Sequence, residues 1–468
     1  MSTALLLLIG TIGAAWLLVA IARRPQRGVL ALAALVPYHG LLTLVHVPSL
    51  LSGWKEGLVL YTAAASLASH SWRRKSAAGF EGMTWLLAAV VWVLLGVVSV
   101  LRQRNVQALI GFKVAYFYLL LPLSQVFAPL DRRDRDRLAT VLMASGLVTA
   151  TYGIAQQALG PAALHSWGYP YNTVIRTSGG HLRSFSTFNQ PFPFAFFLMT
   201  VLLIGLPIAL SDTKRTRNRI FLLGSPILVV GLLSAIVRGA ILGLFAGLVV
   251  LGFQRYRGLL LIVPVSAAAL VLAPASVTSA FFSSSSLVER SQTWGNRVNY
   301  VVQAPFGNGI GTTGSAAAKN SGLAGTSGNS LGSLLQGYAG ADTSDDALGL
   351  KSSSLIQPDN SYFVTVFELG VVGLWVMVLL LGTAATENMR YASRAGPQDR
   401  PWGDGIAALT VGVAVASLVA TYLQIFPDDL LFWLLLGVTA KEQVHSGPRG
   451  QANAGLAAEP TESGASVV

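Results

Sequence analysis

Long apolar stretches with almost no charge in them dominate this chain, and that pattern leaves few folds open. A membrane-spanning helix needs roughly 20 mostly apolar residues. Segments of this kind lie at 3–22, 28–47, 57–69, 82–101, 107–129, 138–158, 188–210, 220–237, 239–253, 259–275, 361–384, 405–426 and 428–440. The expected fold class is an all-α polytopic membrane protein, with about 11–13 transmembrane helices and one long extracytoplasmic loop. Composition agrees. Only 11% of the 468 residues are charged, against roughly a quarter in soluble domains. Cysteine is absent, so a disulfide scaffold, thiolate metal sites and cysteine nucleophiles are excluded.

Two segments are expected to be interrupted. Residues 28–47 contain Pro37, His39 and Gly40, which kink or split a helix. Residues 220–253 carry a single charge, Arg238. As one helix they would run about 51 Å at roughly 1.5 Å per residue, too long for a bilayer, so a break is placed at Arg238.

The net charge of +12 would suggest nucleic acid in a soluble protein. Here it follows topology instead, and no nucleic-acid partner is expected. The loops at 23–27, 70–75, 131–137, 212–219, 254–257 and 385–404, with the residues after 440, hold 21 of the 32 lysines and arginines. The positive-inside rule makes that side cytoplasmic. The N-terminus is then outside, with the first span a retained anchor, and the C-terminus inside. The expected organisation is ten helices over 1–275, an extracytoplasmic and partly mobile loop over 276–360, further helices over 361–443, and a disordered tail over 444–468.

Ionisable groups inside spans are functional candidates, but few occur here. Lys113 reads as a functional group or as a structural lysine that snorkels outward, and Glu368 as a functional or a packing carboxylate. The other side of the membrane is richer, with isolated arginines beside apolar helix ends: Arg183, Arg238 and Arg290. A guanidinium is a permanently charged planar fork suited to phosphate oxygens. Three converging in the outer leaflet would hold a lipid diphosphate. His181, two residues before Arg183, lines that site or the surface. The pairs Asp345–Asp346 and Asp428–Asp429 are expected to be solvated. No carboxylate cluster suited to Mg²⁺ is seen, so no metal and no cofactor is expected.

Four stretches carry these residues in order: HLRSFSTFNQPFPFAFF (181–197), LLSAIVRGAILGLFAG (232–247), ERSQTWGNRVNYVVQAPFGNGIGT (289–312) and PDNSYFVTVFELGVVGLW (358–375). Together they resemble the O-antigen ligase and O-antigen polymerase family of polytopic glycan-transfer enzymes, over about residues 180 to 380. The matching elements are Arg290 and Trp294, then Pro305, Phe306, Gly307 and Gly309. Asn360 follows, with Gly370 and Gly373 after nine further residues. Two positions depart. Asp359 stands where ligase members have histidine, and Val237 stands where the family often has serine. The aspartate suits polymerase-like members.

The resemblance implies glycosyl transfer at the outer face of the cytoplasmic membrane, from a donor glycan on undecaprenyl diphosphate to a glycan acceptor. Arg183, Arg238 and Arg290 would bind the diphosphate, and Asp359 and Arg238 would be catalytic. Asp359 would act as base, although it also sits at a natural N-cap position. The partners implied are lipid-linked glycans and membrane lipids, with a flippase and a chain-length regulator as candidates. The leading expectation is a polymerase of lipid-linked repeat units. The alternatives are a ligase acting on a lipid, protein or wall acceptor, or a lipid-linked oligosaccharide flippase or other transporter. A transporter should show more charge in its spans and two similar halves; neither is evident.

Overall fold

A computed structural model describes residues 3–44, 53–73, 84–172, 174–261, 304–314, 317 and 360–440. Helices dominate: α1 (Thr3–Arg23), α2 (Gln26–Leu35), α3 (Trp54–Arg73), α4 (Thr84–Gln103), α5 (Val106–Tyr116), α6 (Leu120–Phe127) and α7 (Arg132–Ser166). They continue as α8 (Pro191–Ser211), α9 (Thr216–Ser234), α10 (Arg238–Gln254), α11 (Ser361–Arg394), α12 (Arg400–Ala416) and α13 (Asp428–Gly437). The described residues also form one antiparallel hairpin, β1 (Arg176–Ser178) with β2 (His181–Arg183), an addition to the expected all-α class.

Among the described residues, six helical stretches are long and apolar enough to cross a membrane: 84–103, 106–127, 132–166, 191–211, 216–234 and 361–394. Both expected interruptions occur. Residues 28–47 split into α2 and a 3-10 turn, Val36–Thr43, that opens with Pro37. Residues 220–253 divide into α9 and α10, and Ile236 between them has φ of 53°. Left-handed backbone is strained for a β-branched residue, by about 1–3 kcal/mol. Of the segment 259–275, the described part is a 3-10 turn ending at Leu261.

Helix α8 is apolar all round, which suits a fully buried helix. Its most apolar stretch is 89% buried, against 28% for α4 and for α9. Around it pack α7, α9, α10 and α12. Large side chains on α4 and α9 point outward instead, such as Leu87 at 67% exposure and Leu223 at 82%. Close backbone approach joins α10 to α12. A Cβ added at Gly243 would lie 2.6 Å from the carbonyl oxygen of Gly412, and one at Gly247 3.0 Å from that of Ala408. Small residues four apart allow this packing, which rests on van der Waals contact where no hydrophobic driving force is available.

The two ends of the bundle differ. One end holds the start of α7, the α8–α9 turn and the α11–α12 turn, and there arginines meet aspartates. Arg24 binds Asp131 and Asp134 at 2.7 Å each. Arg132 and Arg135 share Asp399 at 3.3 and 3.2 Å. Arg215 and Arg217 share Asp136 at 2.5 and 2.8 Å. We call this the basic end. The other holds the hairpin, the α9–α10 break, residues 304–314 and the start of α11.

Candidate functional site

The hairpin sequence Arg-Thr-Ser-Gly-Gly-His-Leu-Arg turns at Gly179 and Gly180, whose φ values are 57° and 80°. Two consecutive positive-φ residues are what a two-residue hairpin turn requires, and glycine meets that need without strain. The register then sets Arg176 opposite Arg183 and Ser178 opposite His181. Residues opposite one another share a face, so two guanidinium groups stand side by side, with exposed His181 on the same face. Leu182 faces the other way and packs with Leu164, Tyr169 and Phe185.

Two adjacent glutamines in α7 fix the strand that follows. The Gln156 side chain, fully buried, accepts from the backbone N–H of Phe185 and Ser186 at 3.1 and 2.7 Å and donates to the Ser186 carbonyl at 3.1 Å. Gln157 Nε2 donates to the Leu182 carbonyl at 2.8 Å and to Ser184 Oγ at 2.7 Å. The Ser184 N–H donates to the Ser234 carbonyl at 3.0 Å. That last bond stitches the hairpin to the end of α9, four residues before Arg238.

Arg183 is thereby held at the helix break. Its Nε donates to the Ala235 carbonyl at 3.2 Å, and its guanidinium lies 4.9 Å over the Phe192 ring. Burial, then the like charges of Arg176 and Arg238, push its pKa down to about 10. Arg176 and Arg238 thus both lie near enough to Arg183 to repel it. Arg238 opens α10, where Val237 supplies no side-chain cap. The first N–H groups of a helix favour an anion. The arrangement can bind phosphate oxygens through planar forks and backbone donors.

Two of the three expected arginines therefore converge, and Arg290 lies outside the described residues. Arg176 was not anticipated. The signal was present, because a Gly-Gly pair flanked symmetrically by two arginines predicts a hairpin that brings them together.

A second assembly joins motif elements far apart in sequence. Gly370 has φ of 71° and interrupts α11. The break diverts hydrogen bonds that an unbroken helix would keep. The carbonyls of Phe367 and Glu368 accept from the Asn308 and Gly309 N–H groups at 2.7 and 3.0 Å. The Val371 N–H donates to the Pro305 carbonyl at 3.0 Å. A Cβ at Gly370 would lie 2.3 Å from that same oxygen, so the position admits glycine alone. Glu368 Oε1 accepts from the Gly311 and Thr313 N–H groups at 2.9 and 3.2 Å. Glu368 is thus a hydrogen-bonded packing carboxylate that pins residues 311–313 to α11. Gln103 and Gln107 hold them from the other side, donating to the Ile310 and Gly311 carbonyls at 3.1 and 2.8 Å.

The structure settles the surroundings of three further groups. The N-cap of α11 is Asn360, whose side chain accepts from the Tyr362 and Phe363 N–H groups at 2.8 and 3.2 Å. Asp359, like Trp294, lies outside the described residues. Lys113 does not snorkel; its Nζ bonds Glu56 at 2.5 Å. Asp428 and Asp429 are not solvated, being 0% and 3% exposed. They open a short helix buried along its whole length, and its apolar residues draw the carboxylates inside. Asp345–Asp346 and the tail 444–468 lie outside the described residues.

No protein-family model matches this chain, and no curated protein is significantly similar to it in sequence.

Proposed function

We propose that this protein is a membrane glycosyltransferase that polymerises undecaprenyl-diphosphate-linked oligosaccharide repeat units on the outer face of the cytoplasmic membrane. The observation that carries the reading is the meeting of Arg176, Arg183 and Arg238 at the α9–α10 break. Like charges held together by backbone and carbonyl contacts suit an anionic substrate. The interlock of Pro305–Gly309 with Gly370 supports it, because the motif elements of the resemblance meet in space. The positive-inside rule puts the arginines on the outer side, within a bundle of about 11–13 spans.

In this reading an acceptor sugar hydroxyl attacks the anomeric carbon of the donor. A new glycosidic C–O bond forms, the anomeric C–O bond to the diphosphate breaks, and undecaprenyl diphosphate leaves. Arg183, Arg238 and Arg290, joined by Arg176, stabilise the charge that grows on the departing oxygen. Asp359 accepts the hydroxyl proton as general base.

The deciding experiment gives purified protein lipid-linked repeat units and reads product size. A ladder of glycan lengths is the expected result. Transfer of a single unit to a second acceptor would replace polymerase with ligase. Unchanged glycan, with lipid-linked donor moved across a vesicle membrane, would replace both with a transporter.

A further inference from the structure

At the basic end, away from the arginine corner, a cavity of about 270 Å³ opens between the first turns of α7, α9 and α12. Four arginines line it: Arg132, Arg135, Arg215 and Arg217, with Asp136, Asp212 and Asp399. The carboxylates do not balance them. Asp136 serves both Arg215 and Arg217, and Asp399 serves both Arg132 and Arg135. Each of these groupings keeps a net positive charge, and Asp212 offsets only one of the two. Three helix N-termini meet at the cavity as well. The N-cap residues of α9 and α12, Arg215 and Asp399, make no side-chain cap bond, so the positive ends of both helices add to the field.

Depth is graded. The Arg135 and Arg217 side chains are 4% and 15% exposed and form the floor, while Arg132 and Arg215, at 71% and 45%, form the mouth. Buried Trp402 and Asn218 complete the walls. The volume falls just below the roughly 300–1,000 Å³ of pockets for drug-sized ligands, so it suits a small anionic group. A tetrahedral phosphate offers several acceptor oxygens, enough for more than two planar forks at once.

We propose that this cavity is a phosphate-binding site, distinct from the arginine corner and independent of the glycosyl-transfer reading. Its phosphate can come from an anionic phospholipid headgroup, since basic pockets between membrane helices suit such headgroups, or from a soluble phosphate.

The test uses the purified full chain in two arms. In the first, native mass spectrometry measures retention of phosphatidylglycerol and cardiolipin against phosphatidylcholine. In the second, thermal unfolding is followed as pyrophosphate is titrated, with acetate as a carboxylate control. Saturable binding is expected in at least one arm, weakened about tenfold in Arg132→Gln and in Arg215→Gln by the loss of a charge-assisted contact. Anionic-lipid retention without pyrophosphate protection identifies the lipid source, and the reverse identifies a soluble anion. A further measurement needs no variant: the bound probe should protect Arg132 and Arg215 of the wild-type chain from phenylglyoxal. Absence of saturable binding in both arms would overturn the proposal. So would unchanged binding in folded variants, or unprotected arginines.

Discussion

Arg183 and Arg217 are both partly buried arginines near the ends of long apolar helices, yet their surroundings differ in kind. Arg217 reaches the Asp136 carboxylate, the Asp136 carbonyl and Thr140. Arg183 meets a carbonyl, an aromatic ring and two like charges. At the basic end, ion pairs tie the start of α7 to the α1–α2, α8–α9 and α11–α12 turns, so much of the charge there holds the fold together. At the hairpin end the backbone gathers charge against its own repulsion. Like charges directly opposite in a hairpin destabilise it by on the order of 0.2–1 kcal/mol, and Ile236 adds strain. One end uses its charge to join helices, and the other brings like charge together at a helix break.

The comparison can be broken most completely by topology. Cysteines introduced at exposed Thr216 and at Ser286 should differ, all or none, in labelling by an impermeant reagent. Ser286 is expected to label from outside and Thr216 is not; the opposite pattern would invert the two ends. Next in size are Arg183→Ala and Arg238→Ala. Each is expected to lower transfer about 10²–10³-fold, as loss of one charge-stabilising donor does in other enzymes, with abundance nearly unchanged. Lysine should rescue only partly. Full activity in Arg238→Ala would remove that residue from the site.

Asp359→Asn should lower polymer yield by about 10²–10⁴-fold if the carboxylate is the base, and Asp359→His should keep measurable activity. Because Asn360 caps α11, neither change should alter folding. Asn360→Ala is the counterpart, expected to lose about 0.5–2 kcal/mol of stability with the cap. Near-normal yield from Asp359→Asn would leave the arginines as the catalytic groups. The smallest effect on turnover belongs to the basic end. Arg24→Gln should cost more than the ~0.2–1 kcal/mol of an exposed ion pair, because it takes the nearest partner from the Asp134 carboxylate, which is 2% exposed. The loss is read as a fall in unfolding temperature with turnover per folded protein unchanged. A large loss of turnover there would erase the contrast between the ends.

Much of the helical framework is legible in the sequence, because apolar length is a local property. The splits at Pro37 and Arg238 follow from residues that disrupt a helix or resist burial. Arg183 and Arg238 stand out as charges beside apolar helix ends. Arg176 does not stand out alone, since its meaning depends on register across Gly179–Gly180. Asp359 and Asn360 are both good caps by local preference, and only the structure shows Asn360 accepting from the first N–H groups of α11. Asp428 and Asp429 misled for a different reason. A pair of carboxylates beside a turn reads as surface, and only the packing of α13 shows them enclosed.

From its sequence alone, this chain is committed to long apolar helices, to one end rich in arginine and lysine, and to a few isolated arginines at the other. Hydropathy and charge act over a few residues or over whole segments, so no contact map is needed to see them. The tertiary structure decided which arginines meet, through hydrogen bonds such as Ser184 to Ser234 that cross between segments. It also decided that Gly370 serves as a docking break and not only as a packing residue. That role exists because Pro305, 65 positions earlier, places its carbonyl where a Cβ would otherwise be.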